Sequence, residues 1–157
     1  MEPRIQLPVA LSAVRARFGR LHLSRVLETE PYEVDDPRLF LNVAIAFEAS
    51  VEASELKSWF NQLEQSQGRD RDDPLSSRKA RPLDLDILFA LEPGRSDLPV
   101  ALVPGEPYAR PFVLDLAAHL GLACDLSAPP LPAGIALRLD GVTVGERPMT
   151  VEPEGGR

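Results

Sequence analysis

Arg81-Pro-Leu-Asp-Leu-Asp-Ile-Leu-Phe89 sets two carboxylates two residues apart inside a run that otherwise has the composition of a buried β-strand. Side chains alternate between the two faces of a strand, so Asp84 and Asp86 are expected on one face. Like charges side by side on an apolar strand repel and lose hydration, unless a cation lies between them. A hard cation such as Mg²⁺ suits the pair, because its usual shell is one or two carboxylates completed by water and phosphate oxygens. The alternative is that both aspartates face solvent on a one-sided sheet.

The residues just upstream bear on that choice. Glu64-Gln-Ser-Gln-Gly-Arg-Asp-Arg-Asp-Asp-Pro-Leu-Ser-Ser-Arg-Lys-Ala-Arg81 sets Arg69, Arg71, Arg78, Lys79 and Arg81 around a loop that leads into the Asp pair. Arginine grips phosphate well, since its planar fork offers paired donors and keeps its charge. Asp70, Asp72 and Asp73 interleave, so a solvated loop of mixed charge is the alternative. An Arg-rich loop, an Arg-X-X-Asp-X-Asp strand and a metal between them point together to nucleotide triphosphate chemistry.

A chain of 157 residues with 44% hydrophobic content is long enough to bury one good core. A single domain over residues 1–150 is expected, with residues 151–157 as a flexible tail. The formal charge of −7 argues against a nucleic-acid binder, which would present a basic face. Cys124 is the single cysteine, has no partner for an internal disulfide and reads as an apolar filler. No apolar run is long enough to span a bilayer and no hydrophobic leader opens the chain, so a cytoplasmic protein without membrane partners is expected. Basic charge is nearly all arginine and the chain holds 16 Pro, a bias that carries no function.

Hydrophobic periodicity predicts a helix over residues 9–18, with Gly19 as its stop, and strands over 21–29 and 40–48. Ser54 reads as the N-cap of a helix to about residue 65 whose apolar face holds Leu56, Trp59, Phe60 and Leu63, which makes Trp59 a core residue. A further helix is predicted over 111–120, with His119 as a helix-end residue. His22 lies on a predicted strand with no functional role. Residues 136–144 read as a hairpin around Asp140-Gly141. The order helix, strand, strand, helix, strand, behind a short or missing first strand, gives an α+β fold of the ferredoxin-like βαββαβ plan, an antiparallel sheet with helices on one face.

These motifs in this order resemble the 6-hydroxymethyl-7,8-dihydropterin pyrophosphokinases of folate biosynthesis, whose signature closes with Arg-X-X-Asp-hydrophobic-Asp and two aliphatic residues. Arg81 to Leu88 fits that ending, Phe40-Leu-Asn-Val-Ala-Ile-Ala-Phe-Glu-Ala-Ser50 is similar to the family's aromatic-Leu-Asn strand, and Leu63-Glu-Gln-Ser-Gln-Gly-Arg-Asp-Arg71 to its nucleotide loop. The resemblance covers roughly residues 9–118. It implies transfer of the β,γ-diphosphate of ATP to a pterin hydroxymethyl group, with AMP as the second product. By position, Asp84 and Asp86 would hold two Mg²⁺ ions, and Arg69 and Arg81 would act with them in catalysis. Glu64, Arg71, Arg78 and Arg110 would bind ATP. Thr29, Asn42 and the rings of Phe40 and Phe112 would recognise the pterin, with core packing as the alternative for both rings. The expected partners are these small molecules, with the protein a monomer or weak homodimer.

Departures from the family pattern are also present. The Gly-Ser-Asn loop that follows the family's first strand is missing from Met1-Glu-Pro-Arg-Ile-Gln-Leu-Pro8. Either residues 4–7 form a stunted first strand with Pro8 at helix position N1, or the strand lies upstream of Met1, which predicts instability. The family's Pro-His-Tyr is replaced by Pro104-Gly-Glu-Pro-Tyr108 ahead of Arg110-Pro-Phe112, so a nucleotide-contacting His is lost. Two functions follow: an active pyrophosphokinase with the Arg81, Asp84 and Asp86 set intact, or a pterin- or nucleotide-binding homologue without turnover.

Overall fold

The computed structural model describes residues 3–29, 40–67, 85–106 and 108–153, with backbone alone at positions 3, 4, 29 and 40. Within them the chain is α+β with antiparallel ladders, as the pattern predicts.

Helix α1 runs Pro3–Phe18 and ends where Gly19 takes φ 87°, donating its N–H to the Arg15 carbonyl at 2.8 Å. A positive φ at the residue after a helix costs glycine nothing, and Arg15 and Arg17 in the last turn complement the helix dipole. The stunted strand expected over residues 4–7 is not formed. Those residues are helical and Pro8 lies inside α1, although an interior proline removes one helix hydrogen bond. Apolar packing of Leu7, Leu11 and Val14 on the core offsets that loss, and buried Gln6 ties the helix to the end of the next through its Nε2, which donates to the Gln67 carbonyl at 3.1 Å.

The predicted strand over 21–29 is two short ones, β1 Leu21–Leu23 and β2 Leu27–Thr29. The strand over 40–48 is likewise divided into β3 Phe40–Asn42 and β4 Ile45–Ala46. β2 pairs with β3, and β1 pairs with β4. Ser24 bridges the interruption, its N–H donating to the Ala44 carbonyl and its Oγ accepting from the Ala44 N–H, both at 2.9 Å. At Val26 the main chain leaves this ribbon for C-terminal partners: its N–H donates to the Gly145 carbonyl and its carbonyl accepts from Ile135 N–H, both at 2.8 Å.

Helix α2, Ala53–Ser66, buries Phe60 and sets Leu56, Trp59 and Leu63 against the core. Ser54 is not its cap. The N-cap position falls at Glu52, without a side-chain bond. Trp59 meets Phe18 edge-on at 5.7 Å, and the Arg17 guanidinium lies 4.9 Å from the Trp59 ring, a cation–π contact of about 0.5–1 kcal/mol at such a site. Helix α3, Arg110–His119, has Pro111 in its first turn and a face made of Phe112, Val113, Leu116 and Ala117.

The residues beyond 125, which matched no part of the resemblance, complete the fold. Strands β5 Leu137–Leu139 and β6 Val142–Val144 form the expected hairpin. Positive φ at Asp140 (49°) and Gly141 (86°) is what a two-residue type I′ turn requires. Strand β7, Met149–Val151, pairs with β1 opposite β4, so β1 is the centre of a three-stranded sheet β4-β1-β7. β7 crosses the domain limit drawn at 150, and Glu152 accepts from Arg15 and Arg20.

One apolar cluster joins Leu11 and Val14 of α1, Leu21 and Leu23 of β1, Phe60 of α2, and Leu137, Leu139, Val144 and Val151 from the C-terminal strands. A smaller one gathers Leu98, Val113 and Ala117, with Phe89, Leu91 and Cys124 packed against it, the filler position expected of the lone cysteine. Arg25 locks the interruption between β1 and β2 to both flanks. Its guanidinium pairs in a fork with Asp115 of α3 at 3.0 Å and donates to the carbonyls of Leu131 and Pro132 at 3.0 and 2.8 Å.

Candidate functional site

The Asp segment departs from its expected form. Residues 85–90 carry no strand ladder, although their burial alternates as a strand's would. Leu85, Ile87 and Phe89 are half-buried, whereas Asp86, Leu88 and Ala90 are exposed. Leu85 and Ile87 pack on the main core, and Phe89 and Leu91 on the smaller one, so the segment runs from one cluster to the other. Hydrophobic anchoring on alternate residues thus fixes which side chains face outward, and Asp86 is one of them.

Glu64 lies close behind. It sits near the end of α2, is only 1% exposed, and its Oε2 accepts the Leu85 N–H at 2.7 Å. A buried carboxylate needs compensating donors, and a main-chain N–H is a strong one at this length. The helix periodicity that puts Phe60 in the core also turns Glu64 inward one turn later. Sequence alone marked Glu64 as a nucleotide contact and missed its main-chain partner, because nothing in sequence spacing links residue 64 to residue 85.

Arg110 opens α3 and is exposed, its N–H bonded to the Glu106 carbonyl at 2.8 Å. Phe112, two residues on, is 3% exposed. Asn42 ends β3, half-buried. The β2–β3 register sets Thr29 opposite Phe40 and Leu27 opposite Asn42, so these four positions share one face of the ladder. Arg69, Arg71, Arg78, Arg81 and Asp84 lie outside the described residues.

Among the described residues no three His, Cys, Asp or Glu side chains converge on a metal position. Mg²⁺ does not need such a cage, since it takes one or two carboxylates and keeps water and phosphate in the rest of its shell. An outward-facing Asp86 on an anchored segment fits that demand. No described helix is long and apolar enough to cross a membrane.

Both histidines, which sequence gave no joint role, meet at one hydroxyl. His22 Nδ1 and His119 Nε2 lie 2.8 and 3.0 Å from Thr150 Oγ1, tying β1 and α3 to β7. Burial holds the His22 imidazole below its ordinary 6.5; His119 and then Arg20 add to the shift, and Glu152 and Glu48 oppose it. A base whose folded pKa is depressed binds fewer protons when folded. Its contribution is therefore present above pH 6.5 and is lost as pH falls below that value toward the folded pKa. Urea midpoints at pH 7.5 and 5.5 should fall further in the wild type than in His22→Gln, and equal drops would show that His22 does not carry this dependence.

The family model for 7,8-dihydro-6-hydroxymethylpterin-pyrophosphokinase matches residues 2–121. In two strains of Porphyromonas gingivalis, proteins described as 2-amino-4-hydroxy-6-hydroxymethyldihydropteridine pyrophosphokinase are 34% identical to the chain over 84 residues. That alignment covers 53% of this chain and 57% of each relative, so the chain matches just over half of the relatives' length. No solved structure matches the chain. With the family model covering more than three quarters of its residues in one unbroken stretch, the chain belongs to the 7,8-dihydro-6-hydroxymethylpterin-pyrophosphokinase family.

Proposed function

We propose that the protein transfers the terminal diphosphate of ATP to the hydroxymethyl group of 6-hydroxymethyl-7,8-dihydropterin, a step of folate biosynthesis. The observation that carries this reading is the Arg81-X-X-Asp84-X-Asp86 signature in a family member, with Asp86 facing outward and Glu64 bonded to the peptide between the two aspartates.

The pterin hydroxyl oxygen attacks the β-phosphorus and loses its proton. The bond from that phosphorus to the α,β-bridging oxygen breaks, and AMP leaves with the bridging oxygen. Asp84 and Asp86 would hold two Mg²⁺ ions, which when bound neutralise charge on the triphosphate and on a loose transition state. With so little covalent chemistry for the protein to perform, its task is positioning and electrostatics. Arg69, Arg71, Arg78, Arg81 and Arg110 supply forked donors to phosphate oxygens. Thr29, Phe40 and Asn42, neighbours on the β2–β3 ladder, form the pterin side together with the ring of Phe112. The protein works in the cytoplasm as a monomer or weak homodimer.

The test is AMP release from ATP and Mg²⁺ by purified protein, with and without the dihydropterin. Pterin-dependent AMP is expected. Well-folded protein that binds ATP or pterin without releasing AMP would overturn the reading in favour of a binding homologue.

A further inference from the structure

We propose that Glu64 is a positioning residue for Asp86, holding the main chain next to it through the Leu85 N–H. The proposal deepens the pyrophosphokinase reading and rests on it for its kinetic arm only.

A bond at 2.7 Å between a carboxyl oxygen and a main-chain N–H is short and directed. It spans 21 residues of sequence and joins the end of a packed helix to the start of the Asp segment. In a regular sheet the neighbouring strand would orient such a segment. Residues 85–90 lack a ladder, so hydrophobic contacts of Leu85 and Ile87 and the Glu64 bond take over that task. Apolar contacts alone leave the peptide free to rotate about the strand axis, whereas a directed hydrogen bond fixes its plane. Held at its N–H by Glu64 and at the Leu85 and Ile87 side chains by the core, the main chain has little freedom to change where the Asp86 Cβ points. Metal-ligating carboxylates depend on such orientation, and removal of a supporting partner typically costs about 10–100-fold in metal affinity or activity.

A carboxylate at 1% exposure is costly to keep buried, which sets Glu64 apart from an ordinary helix surface residue. An ATP contact made by the Glu64 carboxylate itself would need that side chain to be presented to solvent. Its bond to Leu85 points instead to action through Asp86.

Two variants separate acceptor from charge. Glu64→Gln keeps an oxygen that accepts the Leu85 N–H, and Glu64→Leu keeps bulk without an acceptor. The first readout needs no ligand: hydrogen exchange at the Leu85 amide should be about 10-fold or more faster in Glu64→Leu than in the wild type, with Glu64→Gln between them. The second is kinetic. Glu64→Leu should raise the Mg²⁺ concentration for half-maximal AMP release and lower kcat, together by about 10–100-fold, with KM for ATP at fixed saturating Mg²⁺ unchanged and Glu64→Gln restoring most of the loss. Unchanged Leu85 exchange in both variants would overturn the proposal even if the enzyme is inactive. A rise confined to KM for ATP would overturn it in favour of direct nucleotide contact. Should Glu64→Leu fail to fold, Glu64→Met, which also has no carboxyl acceptor, takes its place: faster Leu85 exchange with a raised Mg²⁺ requirement supports the proposal, and unchanged Leu85 exchange overturns it.

Discussion

Asp86→Ala is expected to cut pterin-dependent AMP release by about a thousandfold or more while leaving the thermal midpoint within a degree or two. The expected loss is roughly 4 kcal/mol of transition-state stabilisation at about 1.4 kcal/mol per tenfold, the scale at which a metal acts on phosphoryl charge. The small stability effect follows from exposure. Asp86 faces outward, and the segment is anchored by Leu85, Ile87 and Phe89, which the substitution leaves in place. Surface changes away from caps and buried networks are usually worth no more than about 0.5 kcal/mol. Activity near wild type in a steady-state AMP assay would remove Asp86 from the catalytic set. A large drop in thermal midpoint would instead mean that the carboxylate holds the segment rather than a cation.

The largest stability effect is expected at Asp115. Arg25 and Asp115 form a partly buried pair, with side-chain exposures of 20% and 6%. Asp115 Oδ2 also accepts the Arg25 N–H at 3.0 Å. Asp115→Ala strands the guanidinium among the Leu131 and Pro132 carbonyls and removes the acceptor of a main-chain donor at once. Breaking a buried pair from one side costs about 3–5 kcal/mol, which for a chain of this size lowers the midpoint by roughly 10 °C. Denaturant melts should show it, and a loss under about 1 kcal/mol would mean that solvent reaches the pair freely. The double variant Arg25→Met, Asp115→Leu should recover much of the loss, because matched apolar side chains often replace a buried ion pair at little cost.

The same pair shows how the residues after the family match support the site. The family model ends at residue 121, yet Leu137, Leu139, Val144 and Val151 lie in the core that α1 and β1 share. Gly134 and Gly145 make that union possible. A Cβ on Gly134 would collide with the Gly145 and Val26 carbonyls, and one on Gly145 with the Ile135 carbonyl. Only glycine lets three backbones approach this closely where Val26 crosses from its ribbon to the C-terminal segment. His119, at the end of α3, reaches the same region through Thr150. The helix that begins with Arg110 is therefore held at its middle by Arg25, which also grips the Leu131 and Pro132 carbonyls, and at its end by Thr150.

Local chemistry was legible from sequence wherever neighbours along the chain decide the outcome. The stop at Gly19, the turn at Asp140-Gly141, the apolar face of α2 and the extent of α3 depend on φ preference and on 3.6-residue periodicity, which reach only a few residues. The Asp-X-Asp signature and its family are legible for the same reason, since the motif is contiguous. Tertiary structure alone decided the rest. It carried α1 back through Pro8, because packing Leu7, Leu11 and Val14 on the core outweighs one lost helix bond. It divided both predicted strands, because Val26 bonds better to Gly145 and Ile135 than to the opposite ribbon strand. It withdrew Phe112 into the core and turned Glu64 onto Leu85. Each of these outcomes depends on groups brought together across tens of residues, where the competition is among burial, backbone hydrogen bonds and buried charge, and sequence spacing carries no record of which partner will be near.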